Sequence, residues 1–218
     1  MVPSGSCLRW REESYAQSPV AAISKVRFER LSLPHYRQWL DAARREPPPQ
    51  SIEKVMIVGF PPNWIRYPDH PAHWSLSQLD AEMALVTALH EGGFRVLYKA
   101  HPEFEAQTRE LFKGLPCAFV GDHLESCWQI ADAFVFPRIS STSFGFALCT
   151  NRPIVLLDID SQRWCEEART LLARRCMMVP ASVDSDVRLR FDKAALLAAL
   201  KRPPGPIDYA FVEQAMCA

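Results

Sequence analysis

Two short stretches of the chain carry residue types that bind anions. The first is Lys99-Ala100-His101-Pro102, which closes the apolar run "RVLY". A lysine there supplies a full positive charge, and a histidine can donate a directed hydrogen bond to a phosphate oxygen. The second is "RISSTSFGFAL", Arg138 to Leu148, in which Ser140, Ser141, Thr142 and Ser143 are four consecutive hydroxyl side chains. Capping a helix needs one hydroxyl. Four in a row can also hydrogen-bond a diphosphate that rests on the same helix start. Two other places bring polar groups together. "YPDHPAHW" (67–74) holds Asp69, His70 and His73, and Asp122-His123 follows "CAFVG". His-x-x-His with an aspartate suits zinc only if a further ligand follows at the right spacing, and none does. The prolines of that stretch point instead to a polar loop, which could reach a ligand cleft. Asp122 and His123 face either a ligand or the next helix as its cap. Asp158 and Asp160 are close in sequence but join no metal-ligand cluster. Cys149 lies in an apolar segment with no activating base near it in sequence, which suits a core residue better than a nucleophile.

The elements that must position these groups can be read from periodicity. Residues 1–50 are an extension with one short amphipathic helix in "LPHYRQWLDAARR", where Leu33, Tyr36, Trp39 and Leu40 share a side. Pro47-Pro48-Pro49 ends it and marks a boundary. Apolar strands are expected at 54–60, 94–100, 116–121, 133–137 and 153–159, with a last one at 176–180. Helices are expected at 75–93, 102–114, 123–132, 143–151, 161–175 and 192–205. The helix 75–93 places Leu79, Met83, Val86 and Leu89 on one side and ends on Gly92-Gly93. Strands that are apolar throughout, alternating with helices, imply an α/β fold: a Rossmann-like, doubly wound parallel sheet spanning 51–205. Residues 206–218 form a tail. Such sheets bind ligands beyond the carboxyl ends of their strands. "KAHP" and "RISST" both fall there, each just before a helix whose free N–H groups and dipole favour an anion.

The bulk numbers limit the partners. The 218 residues carry no formal net charge, so no global field attracts a nucleic acid. With 48% hydrophobic and 23% charged residues, the chain reads as an ordinary folded protein. No segment approaches the roughly 20 apolar residues of a membrane span. The first residues lack the apolar core of a secretory signal. The seven cysteines are odd in number and form no Cys-x-x-Cys, as expected of free thiols in a reducing compartment, and a cytoplasmic location follows.

Taken together and in order, "KAHP" (99–102), "IADAFVFPRISSTSFGFAL" (130–148) and "TNRPIVLLD" (150–158) resemble the carboxyl-terminal domain of GT-B glycosyltransferases. The likeness in pattern is to surface-carbohydrate and capsule biosynthesis transferases, teichoic-acid-type glycerophosphotransferases and bacterial sialyltransferases. It covers about residues 52–175. The resemblance implies a donor-binding half that holds a nucleotide-activated sugar or polyol. His101 would bind a phosphate, Ser140, Ser141 and Thr142 the diphosphate or monophosphate, and Lys99 would add charge. Neither metal nor other cofactor is implied. Two departures stand out. Gly145 and Phe146 occupy the region where the family carries a glutamate that often binds ribose. The amino-terminal domain that normally supplies acceptor site and catalytic base cannot be built from residues 1–50, so a partner chain supplying it is one expectation, and the catalytic residue has no candidate. Two alternatives remain open: an enzyme resembling UDP-sugar 2-epimerases, and a non-catalytic degenerate domain acting as subunit or scaffold.

Overall fold

Residues 34–60, 72–139, 142–159 and 166–217 are described by a computed structural model of the chain. Helix α1 spans Pro34–Ala43 and precedes the prolines. Strand β1 (Lys54–Val58), helix α2 (Ala72–Glu91) and strand β2 (Arg95–Lys99) follow. A 3-10 turn (Pro102–Phe104) leads into α3 (Glu105–Leu111), then β3 (Cys117–Val120). Helix α4 (Leu124–Cys127) runs into a second 3-10 turn (Trp128–Ile130), then β4 (Ala133–Phe136). Helix α5 (Thr142–Cys149), β5 (Ile154–Ile159), α6 (Glu166–Arg175) and β6 (Met177–Val183) complete the alternation. Strand β7 (Leu189–Phe191), helix α7 (Lys193–Lys201) and one π-helical turn (Val212–Met216) close the described chain.

These strands make one mostly parallel sheet in the order β3-β2-β1-β4-β5-β6-β7, the doubly wound Rossmann-like class expected from the alternation. Only β7 runs antiparallel, on β6. The period of two sorts each strand's side chains onto two faces. Val55, Ile57, Val96, Tyr98, Ala133 and Val135 join Leu85, Leu89 and Leu196 in one core, the side covered by α2 and α7. Met56, Val58, Leu97, Phe134 and Phe136 join Leu40, Leu124, Phe144 and Leu148 in the other, under α1, α4 and α5. Both faces are dry, which is why the strands read as continuous apolar runs.

Two expectations change. Helix α2 begins at Ala72 rather than Ser75, so His73 lies on a helix and not in a loop. Strand β7 had no counterpart in the sequence reading, because three residues are too short to show alternation. It is set up by a turn in which the Asp184 carboxylate accepts from the Asp186 and Arg188 N–H groups and pairs with Arg190. The Gly92-Gly93 pair expected to end α2 does so, with Gly93 at φ 90, and Gly114, in the turn after α3, has φ 89, conformations that favour glycine.

Candidate functional site

The strand order reverses direction beside β1. From β1 the chain moves outward through β2 to β3, then crosses to β4 on β1's other side. The crevice beyond the carboxyl ends of β1 and β4 is therefore the topological switch point, where open α/β sheets bind ligands. With β1 between them, the ends of β2 and β4 lie about 10 Å apart, two strand spacings. Among the described residues three segments line this edge: Gly59-Phe60 after β1, Ala100-His101 after β2, and Arg138-Ile139 with Thr142 after β4.

His101 sits in extended conformation (φ −66, ψ 133) in front of the Pro102–Phe104 turn. Its side chain caps no N–H group of that turn. Its Nδ1 is buried with no hydrogen-bond partner. The imidazole is thus a hydrogen-bonding group at the carboxyl edge that the fold itself leaves unused. Its ring is held 6.1 Å from that of Phe104. Thr142 opens α5 with an exposed side chain. Ser140 and Ser141 lie outside the described residues, as do Asp69 and His70.

Lys99 is 5% exposed, on the α4 side of the sheet. Its ammonium donates to the Ala100 carbonyl at 2.7 Å, and burial lowers its pKa against the opposing field of Cys127, Glu105, Glu125 and Asp122. It is a charge behind the turn. Asp122 and His123 follow β3, two strands from β1, and both are exposed. His123 precedes α4 without a side-chain cap bond.

The sequence reading missed a buried polar cluster beneath the crevice. Glu82 on α2 is fully buried, at 0% exposure. Its Oε2 accepts from the Tyr98 hydroxyl at 2.5 Å, and its Oε1 accepts from Gln78 Nε2 at 2.9 Å and from the Phe60 N–H at 3.1 Å. Burial raises the Glu82 pKa, while these donors and the nearby Arg138 guanidinium act to lower it. Burial lowers the Arg138 pKa in turn, opposed by Glu82. The cluster ties α2, the end of β2 and the residue leaving β1 to one carboxyl group, and it sets a guanidinium beside the switch point. A side chain at Gly59 would collide with it: a Cβ there would stand 2.2 Å from Tyr98 Oη. The available signal was position. Glu82 falls within the apolar stripe of α2, between Leu79 and Leu85, where an exposed acid has no place.

Other motif residues prove structural. The Asp132 carboxylate accepts from the Glu53 and Lys54 N–H groups and fixes the start of β1 beside β4. Arg152 donates to the Ala131 and Pro47 carbonyls, and Asn151 to the Glu46 carbonyl, anchoring the segment after α1. Asp158 pairs with Arg169 at 2.5 Å. Cys149 is fully buried, and burial pushes its thiol up to about 12, so it is a core residue. Among the described residues no cluster of three or more histidine, cysteine or acidic groups could hold a metal ion, and no helix is long and apolar enough to cross a membrane. A cavity of about 180 Å³ opens at the opposite edge of the sheet, between Ile154, Met177 and the Pro203–Pro206 strap, away from every residue named above for the crevice.

Where the resembled family carries its acid, α1 covers α5. The Trp39 ring meets Phe146 edge-on at 5.0 Å, and Phe146 is buried. Tyr36 lies over Gly145, so that a Cβ at 145 would stand 2.8 Å from Tyr36 Oη.

No protein-family model matches the chain, and no curated protein matches it. Among solved structures it is similar to KpsC of Thermosulfurimonas dismutans, a beta Kdo 2,7 transferase, at 20% identity and a TM-score of 0.34. The match covers 60% of this chain and 43% of that one, less than half of the transferase's length.

Proposed function

We propose that the chain is the donor-binding half of a glycosyltransferase-type enzyme, holding a nucleotide-activated sugar or polyol by its phosphates. The observation that carries the reading is the pair of groups flanking β1 at the switch point. His101 presents an imidazole that the fold does not use, and Thr142 opens α5, whose free N–H groups face the same edge. Phosphate oxygens satisfy both, and the motif order shared with GT-B transferases supports the same assignment. Ser140 and Ser141 extend the hydroxyl set in this proposal, and Lys99 contributes charge from behind. In the reaction, the bond from the sugar's anomeric carbon to the phosphate oxygen breaks and the electron pair leaves with the nucleotide. The extra negative charge collects on that phosphate, where fixed donors stabilise it most. The described residues build a single sheet. The wall that carries the acceptor and its base would come from a second Rossmann-like unit, on a partner chain or on this one.

The test is ligand-induced stabilisation. A ligand at a hundred times its Kd stabilises the folded chain by about 2.7 kcal/mol. For a domain of this size that raises Tm by roughly 5–11 °C. CDP, UDP or CMP, alone or carrying a sugar, is expected to give such a shift in the wild type, and His101→Ala is expected to abolish it. The absence of any shift with nucleoside monophosphates and diphosphates sinks the proposal.

A further inference from the structure

We infer that Glu82 is a proton-linked positioning residue of the same site: when a phosphate binds in the crevice, Glu82 takes up a proton from solvent. The inference rests on the phosphate reading above and adds to it a regulation of the site by pH.

The carboxyl group lies directly under the crevice. Its Oε1 accepts at 3.1 Å from the N–H of Phe60, a residue that lines the crevice, and the side chain is fully buried. Three neutral donors meet it: the Tyr98 hydroxyl from β2, the Gln78 amide from its own helix and the Phe60 N–H from the segment after β1. Among the described residues Arg138 is the charged group that acts on it, from the start of the segment leading from β4 to Thr142. Burial disfavours the carboxylate, while the donors and the guanidinium favour it. A further charge nearby therefore shifts the outcome.

A phosphate held between His101 and Thr142 lies over the residue that leaves β1, and it brings such a charge. A buried group is little screened by salt. A unit charge about 8 Å away, across the thickness of one residue in an effective dielectric of about 20, changes a proton's affinity by roughly 30-fold. The phosphate also draws on the field of Arg138, which otherwise supports the carboxylate. Both effects favour the protonated acid, and protonation in turn leaves the guanidinium's charge to the anion.

The surroundings can also receive the proton. A protonated carboxyl becomes a donor and needs an acceptor. Gln78 is 4% exposed and its Oε1 has no hydrogen-bond partner, while its Nε2 donates to Glu82 at 2.9 Å. A half-turn of that amide presents Oε1 to the new proton. A buried acceptor left unpaired costs stability, and this gives it a use.

The experiment measures binding of pyrophosphate and of UDP to the full chain by titration calorimetry between pH 5.5 and 8. Pairs of buffers that differ in ionisation heat count the protons taken up. The wild type is expected to take up as much as one proton at Glu82 per ligand bound. Below the window of uptake Glu82 is protonated with or without ligand, and above it Glu82 is charged in both states. Affinity is therefore expected to fall, by up to roughly 30-fold, as pH rises through the window. Ionisation of the ligand and of His101 adds to the count in wild type and variants alike. Glu82→Gln is expected to remove the Glu82 share, and with it the infrared band of a protonated carboxylic acid that appears on binding. Tyr98→Phe, which weakens the hold on the charged form, is expected to keep the uptake and move it to higher pH, and it carries the test if Glu82→Gln does not fold. The inference is overturned if the wild type binds without a new carboxylic-acid band, if Glu82→Gln retains that band, or if Tyr98→Phe leaves the uptake at the same pH. A wild type that binds neither pyrophosphate nor UDP overturns the phosphate reading, and this inference with it.

Discussion

Replacing Tyr98 by phenylalanine tests the buried cluster under the crevice. The substitution removes one oxygen and leaves the ring among Phe112 and Phe119, with centroids at 4.4 and 5.3 Å, undisturbed. What is lost is the donor to Glu82 Oε2. A hydrogen bond to an ionised carboxylate contributes about 1.5–3 kcal/mol, and one to a neutral carboxyl about 0.5–1.5 kcal/mol. The cost of Tyr98→Phe is therefore about 1.5–3 kcal/mol where Glu82 is charged, a fall of roughly 3–12 °C in Tm for a domain of this size. The pH dependence follows from the sign of the Glu82 shift. Its folded pKa is raised above the ordinary 4.5, so the folded state holds the proton more tightly than the unfolded chain. That contribution to stability is fully present below the unfolded value and is lost as pH rises through the folded one. Removing the Tyr98 donor raises the folded pKa further. The variant therefore loses more stability than the wild type once pH rises through the wild type's folded value, and its deficit widens there. Urea unfolding of both proteins between pH 4.5 and 8 measures this directly. A deficit under about 0.5 kcal/mol, below the range for even a neutral bond, or one that narrows as pH rises, refutes the reasoning.

Two other substitutions probe the frame around the site. Gly59→Ala places a Cβ 2.2 Å from Tyr98 Oη and should cost about 1–3 kcal/mol by overpacking. Combined with Tyr98→Phe it should cost less than the sum, since removing the hydroxyl relieves the shorter of two clashes and leaves the one with the ring's Cζ at 2.6 Å, and a double-mutant cycle in urea reads the difference. Arg175→Leu removes the buried guanidinium's hydrogen bonds to the carbonyls of Ala147, Leu148, Thr150 and Arg152, of which Ala147 keeps the Thr150 donors and Thr150 keeps the Tyr209 hydroxyl. At roughly 1 kcal/mol for each acceptor, a loss of about 3–4 kcal/mol is expected in the same assay, and a loss under about 1 kcal/mol contradicts the assigned role.

The alternation of apolar runs with helical periods determined the architecture of this chain, because strands buried on both faces are apolar along most of their length and their sequences show it. "KVMIV" and "AFVF" were legible as central strands for that reason, and the placement of "KAHP" and "RISST" beyond strand ends followed from it. Periodicity could not order the strands, since every apolar strand suits any central position. The order 3-2-1-4 came from tertiary packing, and only that order brings His101 and Thr142 to opposite sides of β1. The burial of Lys99 was equally invisible, because a cation at a strand end is read as solvated; inside, its ammonium is served by the adjacent Ala100 carbonyl. For Glu82 the position in the apolar stripe signalled burial, but the donors that allow it inside, Tyr98 and Phe60, come from other segments that the stripe does not name. Tyr36 and Gly145 lie 109 positions apart in the sequence. Their contact exists because α1 packs beside α5, a choice made by the shapes of Trp39 and Phe146 and by no local signal in either helix.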